Sequence, residues 1–203
     1  MTSQRGKGVP ADRLLSRRDT VRALAGIAAL PLLGTAGIDD LLELGRHAHE
    51  RAAARLSHAP RALTAAEYDI VVQAAERIIP RTSTPGATDA RVADFIDVML
   101  ADWYDSPDRE RFKAGLGELD TRARALAGTS FAKATERQQT EILERIDREQ
   151  HERREARAPG AADHWYATLK HLTIWGYYTS RPGIIEELRV QLIPGRYDGN
   201  ASY

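Results

Sequence analysis

The chain has 203 residues, with 29 basic and 29 acidic side chains and no cysteine. That length suits one domain of ordinary size with a single buried core. Charge balance argues against a nucleic-acid partner, which wants a basic stripe, and the lack of cysteine excludes disulfides, covalent c-type haem attachment, iron–sulfur ligation and thiol catalysis in this chain.

The first 22 residues hold Arg5, Lys7, Arg13, Arg17, Arg18 and Arg22 against Asp12 and Asp19, which leaves 23 basic and 27 acidic residues beyond them. Ser16-Arg17-Arg18-Asp19 stands just ahead of a short apolar run, Ala23 to Leu33. A paired arginine before such a run reads as a twin-arginine export signal over residues 1–37, with Arg17 and Arg18 as its recognition pair. The apolar run is shorter than the roughly 18 residues of a comfortable membrane span. Thr20 and Val21 stand where the usual pattern has an aromatic residue and a leucine, so an ordinary secretory signal containing Arg-Arg is the alternative. Either signal takes the chain out of the cytoplasm. The twin-arginine route carries folded proteins and suits those that take up a cofactor before crossing.

Residues 38–62 read as a helix or linker, with leucines at 41, 42 and 44 followed by alanines and charges. Thr64-Ala65-Ala66-Glu67 is a capping box opening a helix whose apolar face is Tyr68, Val71, Val72, Ala75, Ile78 and Ile79. Pro80 ends it, and Pro80 to Ala87 is a rigid turn in which Gly86 is free to take a positive φ. Val92, Phe95, Ile96, Met99, Leu100 and Trp103 stripe a second helix. Ser106-Pro107 starts a third, with Phe112, Leu116, Leu119, Ala123 and Leu126 as its buried face and Gly128 as its stop. Thr135-Glu136-Arg137-Gln138 opens a fourth helix, with Ile142, Leu143 and Ile146 in the core. It gives way to a charged helix end and loop over Asp147 to Arg157. Asp163 is placed to cap a last helix containing Trp165, Tyr166, Leu169, Leu172, Thr173 and Tyr177. The fold class is therefore all-α, a helical bundle preceded by an export signal, with residues 63–203 as the bundle domain.

Motifs of catalysis are missing. Gly115-Leu116-Gly117 lies inside a helical pattern, and neither a phosphate-binding lysine loop nor a nucleophile elbow occurs. His47 and His49 point apart on a helix. His164 and His171 can share a face but do not fill a coordination sphere, so capping or hydrogen bonding is expected of them. Asp94, Asp97 and Asp102 read as the solvated face of their helix. The sequence thus nominates no catalytic, cofactor-binding or metal-binding residue.

Trp175-Gly176-Tyr177-Tyr178-Thr179-Ser180 differs from the rest. Adjacent tyrosines combine stiff apolar surface with polar tips, a composition favoured at interface hot spots. Neighbours on a helix stand about 100° apart, so at least one ring is expected to face outward. The turn-rich tail around Pro194, Gly195 and Tyr197 has no helical period, and is a second candidate to lie along a partner.

With Ile79 to Ala87, Phe95-Ile96-Asp97, Gly176 to Ser180 and Pro194 to Gly199, the sequence resembles the small subunit (subunit 3) of gluconate 2-dehydrogenase-type flavoprotein complexes, from about Leu63 to Gly199. It departs from that pattern at Ser83, where an acidic residue often stands, and near Asn200, where a cysteine does. The resemblance implies a non-catalytic subunit, exported to the periplasm with a large FAD-binding dehydrogenase subunit that oxidises a sugar or sugar acid. It also implies a cytochrome partner carrying haem c, and membrane association through the complex or an uncleaved signal. The interface would draw on Tyr177, Tyr178, Thr179, Ser180, Pro194, Gly195 and Tyr197. A free-standing exported binding or structural protein, and a stand-alone exported enzyme, are the other two readings.

Overall fold

A computed structural model describes residues 38–54, 59–155 and 164–189. All regular structure among them is helical: α1 (Ile38–Ala53), α2 (Ala65–Ile78), α3 (Val92–Asp102), α4 (Ser106–Ala127), a 3₁₀ turn (Phe131–Lys133), α5 (Glu136–Glu155), α6 (Trp165–Tyr178) and a π-helical turn (Gly183–Glu187). None of these helices is long and apolar enough to cross a membrane. The signal segment 1–37, with Arg17 and Arg18, lies outside the described residues, as do Asp163 and the tail bearing Pro194, Gly195 and Tyr197.

The helix starts follow local chemistry. Thr64 Oγ1 accepts from the Glu67 amide while the Glu67 carboxylate accepts from the Thr64 amide at 2.7 Å, the reciprocal pair of a capping box. Thr135 and Gln138 form the same pair ahead of α5. Before α4 the cap is Asp105, one residue earlier than the sequence suggests, accepting from the Asp108 amide at 2.9 Å with Pro107 in the first turn. Gly128 ends α4 at φ 71°, the left-handed conformation that glycine adopts without a Cβ penalty.

Three expectations about the helices change. On α2 the buried residues are Ile70, Val71, Ala74 and Ala75, whereas Tyr68, Val72, Ile78 and Ile79 are half-buried. Leu126 is exposed, because it falls in the last turn of α4, beyond the reach of its neighbours. The charged run after Ile146 does not dissolve but continues as helix to Glu155. It is held along α4 and α6 by Arg122 to Glu149 at 2.7 Å and Lys170 to Asp147 at 2.9 Å.

At the centre stands α6, packed by α1, α2, α3, α4 and α5. Eleven of its residues are buried, from Trp165 to Tyr178, and the remaining three, Thr168, Lys170 and His171, are half-buried. A helix so largely apolar belongs inside a bundle rather than on its surface. Against it lie Phe95, Ile96, Met99 and Leu100 of α3, Phe112, Leu116 and Leu119 of α4, and Ile142, Leu143 and Ile146 of α5, all buried. In α1, Leu41, Ala48 and Ala52 are buried against the same bundle.

Candidate functional site

The last turn of α6 and the segment after it carry the tyrosine motif. Tyr177 and Tyr178 are 1% and 8% exposed, so the expectation that one ring faces outward is corrected. Neighbours 100° apart differ in exposure only where a helix has one covered side, and from Leu172 to Tyr178 every residue of α6 is buried. The two rings meet edge to face, with centroids 5.1 Å apart. Tyr177 donates its hydroxyl to the Pro85 carbonyl at 2.6 Å, joining the motif to the turn after α2. Burial, and then the nearby Glu187 carboxylate, raise its pKa to about 12, so the hydroxyl remains a donor at neutral pH.

Ser180 is buried and builds the next turn rather than a surface. Its Oγ donates to the Tyr177 carbonyl at 2.6 Å and accepts from the Gly183 amide at 3.2 Å. Thr179, partly exposed, donates to the Trp175 carbonyl at 2.7 Å and accepts contact from His49 Nε2 at 3.2 Å. On the other flank Thr84 donates to Glu187 at 2.5 Å, so the Pro85-Gly86 turn, the end of α6 and the π-helical turn form one hydrogen-bonded corner.

Gly86 serves this corner by its size rather than by a positive φ, which it does not adopt. A Cβ there would lie 2.4 Å from a Glu76 carboxylate oxygen and 2.6 Å from the Arg81 amide nitrogen. Glu76 uses that space to accept from the Arg81 and Thr88 amides, both at 2.9 Å, and so closes the turn. Arg91 begins α3 at φ 54°, a left-handed conformation costly for a residue with a Cβ, and its guanidinium reaches Asp94 at 2.8 Å. Asp94 also accepts from Tyr68, whose pKa burial and that carboxylate push upward.

The aspartates of α3 are not a solvated face. Asp97 is 4% exposed and its carboxylate accepts from the Arg61, Ala62 and Leu63 amides at 2.9 to 3.1 Å. A buried carboxylate survives where backbone donors replace water, and here it pins the chain just before α2. Asp102 receives Arg61 at 2.9 Å and Arg51 at 3.3 Å. The sequence signal was the 3.6 period itself, which puts Asp97 on the stripe with Ala93 and Leu100.

The histidines act as connectors. His164 Nδ1 accepts from the Tyr166 amide at 3.3 Å and caps α6, the role assigned to Asp163 from sequence. His49 donates to the Gly176 carbonyl at 2.8 Å with its ring 4.9 Å from that of Phe95. Burial lowers both pKa values, that of His164 with help from Arg153. His47 is exposed between Glu43 and Glu50, and His171 is half-buried on α6. Among the described residues no three metal-capable side chains come together.

Residues 65–195, more than half of the chain, match the family described as gluconate 2-dehydrogenase subunit 3. The chain belongs to that family. The match spans the Pro80–Ala87 turn, Phe95-Ile96-Asp97 and the tyrosine motif, and it stops at residue 195, inside the Pro194–Gly199 string that also carries the resemblance. It begins at the first residue of α2 and leaves α1 outside. No curated protein and no solved structure matches the chain.

Proposed function

We propose that this chain is the non-catalytic small subunit of a periplasmic, flavin-dependent sugar or sugar-acid dehydrogenase complex, and that it escorts and stabilises the large flavoprotein subunit during twin-arginine export. Family membership carries the reading, since the family is named for one subunit of such a dehydrogenase. The arginine pair at Arg17-Arg18 supports the escort role. FAD belongs to the large partner and haem c to a cytochrome partner, with no cofactor assigned to this chain. The complex, or an uncleaved signal, holds it at the membrane.

Two experiments test this. The neighbouring coding sequence should specify a large flavin-binding oxidoreductase without its own export signal; co-expression with that protein should yield a stable pair carrying FAD, and recovery of each protein alone would defeat the reading. Replacing Arg17 and Arg18 by lysine should strand both proteins in the cytoplasm, because lysine lacks the planar guanidinium donors. Export unchanged by that substitution would point to the ordinary secretory route.

A further inference from the structure

Among the described residues, three large apolar side chains stand in the open: Leu42, Leu126 and Ile185. Leu42 lies on the outer face of α1 beside exposed Glu43 and Arg46, and Leu126 lies in the last turn of α4. Single exposed leucines of this kind are ordinary on a protein surface. Ile185 differs in its company. It belongs to the π-helical turn, where Pro182, Ile184 and Leu188 are only half-buried, so apolar side chains crowd the surface of one turn.

The chain leaves that turn in a costly way. Leu188 donates its amide to the Gly183 carbonyl at 3.0 Å, and Arg189 then takes φ 51°. At the end of α4 the same left-handed step falls to Gly128, which has no Cβ to clash. Arginine carries the penalty, and such strain persists where its surroundings hold it. A left-handed residue just past a helix reverses the chain, and the residue after it commonly returns to touch an apolar side chain of the last helical turn. Counted from Arg189, the returning residue is Val190, and the side chain it meets in that pattern is Ile185. The sequence that follows suits the contact. Val190, Leu192 and Ile193 come directly after the turn, then the turn formers Pro194-Gly195, and the polar Asp198, Asn200 and Ser202 only beyond them.

We propose that Val190 to Ile193 fold back on the π-helical turn and cover Ile185 and Leu188. The strain at Arg189 is the cost of the reversal, and the apolar contact offsets it. Glu187 already holds Thr84 at 2.5 Å, and Tyr177 holds Pro85 at 2.6 Å. With the chain reversed there, the Pro194–Gly199 string starts at the same corner as the Pro80–Ala87 turn and the tyrosine motif. Strings far apart in sequence thereby form one surface.

Methyl-labelled full-length protein tests the contact directly. Nuclear Overhauser effects should link the Ile185 Cδ1 methyl to the Val190 methyls, and their absence overturns the proposal. Its strength is read by a cycle of variants, all in the full-length chain. Ile185→Ala should lower the thermal midpoint by about 2–4 °C in the otherwise unmodified protein. In the Val190→Ser/Leu192→Ser background the same change should cost less than about 1 °C, since the covering groups are already gone. Equal falls in both backgrounds would mean that Ile185 packs on the bundle and not on the residues after Arg189. No fall in either would mean that Ile185 is left open for another molecule. Each of these two results overturns the proposal.

Discussion

α5 and α6 are neighbours with opposite designs. α5 is 20 residues long, crowded with charge, and turns Gln139, Ile142, Leu143 and Ile146 inward while its other residues up to Arg153 are exposed or half-buried. α6 is 14 residues long, has Lys170 as its single formally charged residue, and buries all but half-buried Thr168, Lys170 and His171. A surface helix can be read residue by residue, since its polar face marks its apolar one. A central helix has no such mark, and its buried polar atoms depend on single neighbours: Trp175 on Leu41 and Tyr177 on Pro85, while Trp165 Nε1 and Thr173 Oγ1 are buried without a hydrogen-bond partner. Substitutions in α6 should therefore be costly and those on outer faces should not.

The largest effect is expected for Tyr178→Ala. Removing a buried aromatic ring that packs against Tyr177 should cost about 3 kcal/mol or more, and helical content and thermal midpoint should both fall. A variant that melts like the wild type would mean that the ring is dispensable to the core and is held for a partner. The leucine pair Leu169→Ala and Leu126→Ala isolates burial from residue type. The first, at a fully buried site of α6, should lose about 2–5 kcal/mol, and the second, at an exposed site of α4, within about 0.5 kcal/mol of nothing. Denaturant titration of both would break the comparison if the two losses were alike.

Asp97→Ala comes next. It strips the acceptor from the Arg61, Ala62 and Leu63 amides, and should cost about 2–3 kcal/mol while Asp97→Asn recovers part of it. Tyr177→Phe keeps the ring and loses only the bond to Pro85, so about 1 kcal/mol, or some 2–4 °C in the melting midpoint, is expected. A neutral result there would mean that the turn after α2 is fixed without the tyrosine, by Glu76 alone.

How much of this was legible in the sequence follows the same division. Helix starts at Thr64 and Thr135, the stop at Gly128 and the apolar stripes of α3 and α5 are local, and the sequence shows them because their causes lie within four residues. The buried state of Tyr178, the backbone-satisfying role of Asp97 and the spatial need for glycine at 86 depend on groups far along the chain or across a turn. A face count on one helix does not contain them. His49 is the clearest case: its partner Gly176 lies 127 positions away, and only the packing of α1 on α6 joins them. The family, by contrast, is legible because its motif segments survive as strings, whatever their side chains face.

The smallest expected effect is on acid sensitivity, and it separates two histidines that share a pKa direction. Burial holds both His49 and His164 neutral in the folded protein at pH values where the unfolded chain, near pH 6.5, would protonate them. Their contribution is thus fully present above about pH 6.5 and is lost as pH falls below it. Glu43 and Glu149, held below 4.5 by Arg46 and Arg122, titrate outside this window and do not mask it. The chemistry of loss differs. His49 can keep its Nε2–H bond to the Gly176 carbonyl when protonated and forfeits only solvation, whereas His164 accepts at Nδ1 and loses the α6 cap outright. His164→Asn supplies a cap oxygen that does not titrate. It should leave neutral-pH stability within about 1 kcal/mol of wild type and flatten the decline between about pH 7 and about pH 5.5. Thermal melts of the two proteins across that range decide it. Parallel slopes would mean that the cap is not what acid removes, and would shift the loss to His49 and the hold of α1.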